Sequence, residues 1–120
     1  KSVESYAPEF EDLLKMALQL AGGDKSSVFV LSIPDYGYTP FGKEKQQTIS
    51  EGIDAYNAVN KSISDKYGVK YYNITDISRR GLDEPDLVAA DGLHPSEKMY
   101  SEWVEVILKD ITVIPQKDER

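Results

Sequence analysis

Val28-Phe29-Val30-Leu31-Ser32-Ile33 is a nearly unbroken apolar, β-branched run halted by Pro34. A strand that is apolar at successive positions, rather than alternate ones, expects cover on both faces, and that is the habit of parallel sheets flanked by helices. The neighbouring sequence supplies such helices. Tyr6, Phe10, Leu13, Leu14, Ala17 and Leu20 recur at steps of three and four, predicting a helix from Ser5 to Ala21 that Gly22-Gly23 ends. Ile49, Ile53, Tyr56, Val59 or Asn60, Ile63 and Tyr67 mark a second helix, with Thr48-Ile49-Ser50-Glu51 as a capping box at its start and Gly68 at its end. Val69-Lys70-Tyr71-Tyr72-Asn73-Ile74 reads as a second strand. A long loop from Thr75 to Pro95 follows. Ser96 is placed to cap a last helix whose buried face is Met99, Tyr100, Trp103, Val104, Ile107 and Ile111.

Alternating helix, strand, helix, strand, helix implies right-handed crossovers and a parallel sheet covered on both faces. Two strands alone leave both sheet edges open and give three apolar helix faces too little to cover. The expectation is therefore an α/β chain, residues 1–114 being the carboxyl-terminal part of a larger three-layer domain and 115–120 a polar tail. The chain opens on Lys1 and not on methionine, so the reading expects an upstream segment to have been removed, and any targeting signal with it. A formal charge of −7 argues against a nucleic-acid or anionic-membrane partner, because a polyanion is repelled over most approaches. No apolar run approaches the ~20 residues of a membrane span. The absence of cysteine removes disulfides and thiolate metal sites from consideration.

The only histidine, His94, lies in Ala90-Asp91-Gly92-Leu93-His94-Pro95-Ser96. A histidine acting as general base needs one ring nitrogen for the substrate and the other held by an acceptor that fixes its tautomer. Asp91 is within reach if the chain turns, and Gly92 lets it turn. Pro95 and Ser96 start a helix at once, which would clamp the ring against a rigid element. The competing reading is a surface turn that happens to hold a histidine. Position weighs for chemistry, since sites in open parallel sheets gather beyond the carboxyl ends of strands, where both loop 34–42 and loop 75–95 begin. One histidine with one nearby aspartate lacks the further ligands that complete a metal site.

Asp91-Gly92-Leu93-His94-Pro95-Ser96, followed by an aromatic-rich amphipathic helix, resembles the last conserved block, Asp-x-x-His-Pro, of the SGNH or GDSL-type esterases and acylhydrolases. The strand running into Ser32-Ile33-Pro34-Asp35-Tyr36-Gly37-Tyr38-Thr39-Pro40-Phe41-Gly42, the helix with Ile53-Asp54-Ala55-Tyr56-Asn57, and Val69 to Thr75 resemble the second half of bacterial members, so that the likeness runs from Ser2 to about Ile111. The resemblance implies a flavodoxin-like three-layer α/β/α fold. It also implies a serine ester hydrolase in which His94 is the general base and Asp91 its orienting carboxylate, working on a small-molecule ester without a cofactor. The family's nucleophilic serine, in a Gly-Asp-Ser motif, and its Gly and Asn oxyanion donors have no counterpart here. The isolated chain is accordingly expected to be inactive and to seat against the missing amino-terminal half of its domain or a second copy of itself.

Ser96 and Ser32 are better used as a helix cap and a strand residue than as nucleophiles, and Ser26, Ser27, Ser50, Ser62 and Ser64 have no motif around them. Pro34, Asp35, Tyr36, Leu93 and the Tyr38 to Phe41 segment either wall a substrate pocket or form a Gly/Pro turn with its aromatics folded back on the sheet. Arg79 and Arg80 read as a solvated basic pair, with contact to an anionic substrate as the alternative. A different class of function stays open beside the hydrolase: a non-catalytic flavodoxin-like binding module in which Asp91 and His94 serve only the turn.

Overall fold

Ser2 starts the first helix by accepting the Ser5 N–H on its hydroxyl at 3.2 Å, so α1 runs over Val3–Leu20. The computed structural model describes residues 2–113, and the tail expected at 115–120 lies outside them. Gly22 and Gly23, at φ 67° and 81°, close α1 by the left-handed turn that glycine alone takes without strain. α1 packs chiefly against α2 (Gln46–Lys66), where the Tyr6 hydroxyl donates to Asn60 Oδ1 at 2.7 Å and its ring meets Tyr56 edge-on. One helix covers one stripe. Leu14 is buried, whereas Leu13 and Leu20, expected on the same face, are 63% and 85% exposed.

The capping box expected at Thr48 to Glu51 lies inside α2. A 3₁₀ turn over Lys43–Lys45 feeds straight into the helix, so it starts at Gln46 with no side-chain cap. Ser50, freed from capping, donates its hydroxyl to Asp35.

β1 (Phe29–Leu31) and β2 (Lys70–Tyr72) pair in parallel, Phe29 opposite Lys70, Val30 opposite Tyr71 and Leu31 opposite Tyr72. Each strand is shorter than its apolar run, and at the carboxyl ends a side chain takes over the pairing. The Ser32 hydroxyl accepts the N–H groups of Ile74 at 2.8 Å and Thr75 at 3.0 Å, and these lead into the one-turn helix α3 (Thr75–Ser78). Alternate residues of β2 serve opposite faces. Tyr71 reaches the Asn57 carbonyl of α2, while Lys70 and Tyr72 both reach Asp110 of α4 (Glu97–Val113). α2 and α4 therefore meet the two-stranded sheet through alternate side chains of β2.

Burial of β1 on both faces is not found: Phe29 is 48% exposed, and Val30 and Leu31 are only half-buried. Among the described residues β1 pairs with β2 alone. The core forms instead beneath the loop after β2, from Ile74, Leu87, Met99 and Trp103, with Leu31 and Ile77 against it. Ser96 caps α4 as expected, accepting the Met99 N–H at 3.3 Å. Of the apolar face assigned to this helix, Met99 and Trp103 are buried, but Tyr100, Val104 and Ile111 are between 42% and 50% exposed. α3 and the 3₁₀ turn Pro85–Leu87 cover one side of α4 only. Those two elements also break up the expected 75–95 loop. Among the described residues no helix is long and apolar enough to cross a membrane.

Candidate active site

The segment between Pro85–Leu87 and α4 folds back on itself as a short antiparallel loop, closed by a bridge between Val88 and Pro95. Its bonds run Ala89 N–H to His94 O at 2.8 Å, Gly92 N–H to Ala89 O at 2.9 Å and Ser96 N–H to Leu87 O at 2.9 Å. Gly92, at φ 75°, turns the chain at the tip. Asp91 then wires the turn from within: Oδ1 accepts the N–H groups of Leu93 at 2.9 Å and His94 at 3.0 Å, and Oδ2 meets His94 Nδ1 at 2.5 Å. With Nδ1 engaged by Asp91, Nε2 is the other ring nitrogen.

The ring contact and the two backbone N–H groups favour the charged carboxylate and bring the Asp91 pKa down to about 2. It therefore stays an anion across the range in which a histidine ordinarily titrates. Both partners are open to solvent, the side chain of His94 being 70% exposed and that of Asp91 51%.

A cleft of about 330 Å³ opens beside His94. Pro34, Asp35, Tyr36 and Leu93 all border it, together with Ile33, Val88, Pro95 and Met99, so most of its wall is apolar. From the Tyr38 to Phe41 segment only Thr39 borders the cleft, and the Phe41 side chain is 70% exposed. Asp35 belongs to the wall by its position, but its carboxylate is wholly buried behind it.

The hydroxyls that border the cleft or follow the turn are committed elsewhere. Thr39 Oγ1 donates to Tyr36 O, Ser78 Oγ to Thr75 O and Ser96 Oγ to Asp86 O, at 2.5 to 2.7 Å. Ser32 Oγ accepts the N–H groups of Ile74 and Thr75 and lies 2.7 Å from Thr75 Oγ1. Among the described residues no three His, Asp or Glu side chains gather as a metal site would need.

Arg79 and Arg80 do not stand free as a basic pair: each is held by two carboxylates, although the Arg80 side chain is still 41% exposed. Arg80 binds Glu84 through two nitrogens and Glu102 beyond it. Arg79 donates Nε to Asp35 at 3.0 Å and Nη2 to Asp54 at 2.7 Å. The Arg80–Glu84 spacing of four was a visible signal for an ion pair. Nothing local announced Asp35 as the partner of Arg79, 44 residues away.

The chain matches no curated protein and no solved structure. Residues 1–101 match the model of the GDSL-like Lipase/Acylhydrolase family, a span that holds the whole Asp91 to His94 turn, the cleft beside it and both strands. The chain belongs to the GDSL-like lipase and acylhydrolase family.

Proposed function

We propose that this chain carries the base half of a serine ester hydrolase, with His94 as general base and acid and Asp91 as its orienting carboxylate. The observation that carries the reading is the Asp91–His94 contact itself. A turn needs only the two bonds from the Leu93 and His94 N–H groups to Oδ1, and those already hold it. The additional 2.5 Å contact of Oδ2 to Nδ1 does nothing for the backbone, but it fixes the tautomer of the ring. This contact supports the hydrolase reading over the non-catalytic module.

In the mechanism, a serine from the upstream part of the same polypeptide attacks the ester carbonyl. His94 Nε2 takes the serine proton as the C–O bond forms and returns it to the leaving alcohol as the tetrahedral intermediate collapses to the acyl-enzyme. Water then repeats the cycle, His94 again acting as base and then as acid, and the carboxylic acid leaves. Asp91 stabilises the imidazolium and keeps its own charge throughout. Pro34, Tyr36 and Leu93 offer the acyl or alcohol part of a small ester an apolar wall, and Asp35 stands behind that wall.

The same upstream part would supply the oxyanion donors, a neighbour for β1 and thereby the third layer of a flavodoxin-like sheet. The exposed apolar residues of α1 and α4 support this arrangement, as does the 48% exposure of Phe29 beside the open edge of β1. A second copy of the chain is the alternative cover. The test is hydrolysis of short-chain aryl esters by the full-length protein, with His94→Ala lowering kcat/KM by at least about 10³-fold. Labelling of an upstream serine by a fluorophosphonate accompanies it. Near wild-type turnover in His94→Ala would end the assignment.

A further inference from the structure

Behind the wall of the cleft sits a carboxylate that takes no direct part in the proposed chemistry. Asp35 is 1% exposed, and every bond it makes is internal. Oδ1 accepts the Gly37 N–H at 2.8 Å, and Oδ2 accepts the Ser50 hydroxyl at 2.5 Å and Arg79 Nε at 3.0 Å. Its own N–H donates to Ser78 Oγ at 2.8 Å. Arg79 holds Asp54 of α2 with its other arm. Such a pair, with Asp35 buried and Arg79 26% exposed, is weak evidence for stability, since well-packed apolar residues commonly serve as well, but it can select one geometry. The question is what Asp35 directs.

It starts loop 34–42, whose remaining contacts leave little freedom. Gln46 Nε2 donates to Gly37 O at 3.2 Å, and Thr39 Oγ1 bonds Tyr36 O while accepting the Gly42 N–H. The chain returns so closely on itself that a Cβ on Gly42 would lie 2.1 Å from Tyr36 O. At the far end the Phe41 N–H donates to Gly92 O at 3.0 Å, and a Cβ on Gly92 would touch the Pro40 ring at 3.6 Å. Gly92 is the tip of the turn that carries Asp91 and His94. The Phe41 side chain is mostly exposed, so the loop meets the turn through its backbone there.

We infer that Asp35 and Arg79 are positioning residues for His94: they lock loop 34–42, which presents Pro34 and Tyr36 to the cleft and pins Gly92 from the side through the Phe41 N–H. The inference rests on the hydrolase reading above. It assigns a task to a pair of residues that neither touches substrate nor moves a proton.

The experiment is steady-state hydrolysis of an aryl acetate by the full-length enzyme carrying Arg79→Gln, Asp35→Asn, both together, or Arg79→Lys. Rates are taken per site titrated by fluorophosphonate, so that unfolded molecules are not counted. A displacement of the base by about 1 Å costs on the order of 10²-fold. Each single variant should therefore lose about ten- to a hundredfold in kcat, with KM within about threefold of wild type. The double variant should be no worse than the poorer single, because the two act as one unit. Arg79→Lys keeps the charge without the two-armed fork and should fall in between. Should these variants fail to fold, Ser50→Ala, which removes one donor to Asp35, is expected to lose about three- to tenfold in kcat.

A kcat within twofold of wild type in the folded variants overturns the inference, and so does a rise confined to KM, which would make the clamp a cleft-shaping device only. Both results leave His94→Ala inactive. An active His94→Ala marks failure of the hydrolase reading instead.

Discussion

Replacing Asp91 by Asn separates the two things this side chain does. Asp91 Oδ1 accepts the Leu93 and His94 N–H groups, and the Asn carbonyl oxygen can take over both bonds, so the turn at Gly92 should survive. The atom facing His94 Nδ1, at 2.5 Å, then becomes an amide nitrogen. An NH₂ group cannot meet an N–H there, so the ring must present Nδ1 as an acceptor and carry its proton on Nε2. That is the wrong tautomer for a base, and the charge that would stabilise the imidazolium is gone too. Where a buried triad suffers this change, kcat falls about 10⁴-fold. The magnitude transfers if the intact enzyme covers the dyad, and a dyad left as open to water as His94 and Asp91 are in this chain would lose less.

The assay is kcat/KM for an aryl acetate with wild-type, Asp91→Asn and Asp91→Ala enzyme, beside thermal melts. The Asn variant should melt close to wild type and lose about 10³- to 10⁴-fold in activity, while the Ala variant, which also strips two backbone N–H groups of their acceptor, should melt lower. An Asp91→Asn enzyme within tenfold of wild type would refute the reasoning.

Two further predictions concern stability and pH. Leu87 is fully buried in the core beneath the histidine turn, and Leu87→Ala deletes three carbons worth about 0.8 kcal/mol each before the cost of the cavity, giving a loss of about 3–4 kcal/mol in urea unfolding. A loss below about 1 kcal/mol would mean that the site collapses freely. Bonds to Lys98, to the Arg80 side chain and to His94 lower the pKa values of Asp86, Glu84 and Asp91, so these carboxylates favour the folded state above their unfolded values near 4. That contribution is lost as pH falls through the lower folded values, down to about 2 for Asp91. The urea midpoint should accordingly hold between pH 7 and about 5 and drop below about 4, and a drop confined to the interval from 7 to 5 would contradict the sign.

What could be read in advance was local. The Asp91 to Ser96 turn spans a few residues, and its glycine, its acceptor and its cap all stand in sequence order. α1, α2 and α4 announce themselves by period, and β1 and β2 by β-branched or aromatic runs. Burial was harder, because periodicity marks which residues are apolar and not whether a neighbour arrives to cover them. Leu13, Leu20, Tyr100 and Val104 therefore look like core in the sequence and lie exposed. The capping box at Thr48 failed for a related reason: a 3₁₀ turn upstream removed the helix end it would have capped. The Asp35–Arg79 clamp was out of reach, since its partners lie 44 residues apart in the sequence and nothing local pairs them.

These two kinds of information bear on how such a site is assembled. The geometry of the base depends on bonds within residues 86–96 and on one brace from Phe41, so it can exist before any nucleophile arrives. Its electrostatic power cannot. With the ring 70% exposed, water screens the attraction between Asp91 and an imidazolium and competes for Nε2. In the proposed enzyme the segment that brings the serine also brings the cover for β1 and for the apolar faces of α1 and α4. Excluding water from the dyad and delivering the nucleophile would then be one event, so a folded base half would remain silent until the rest of the domain closes over it.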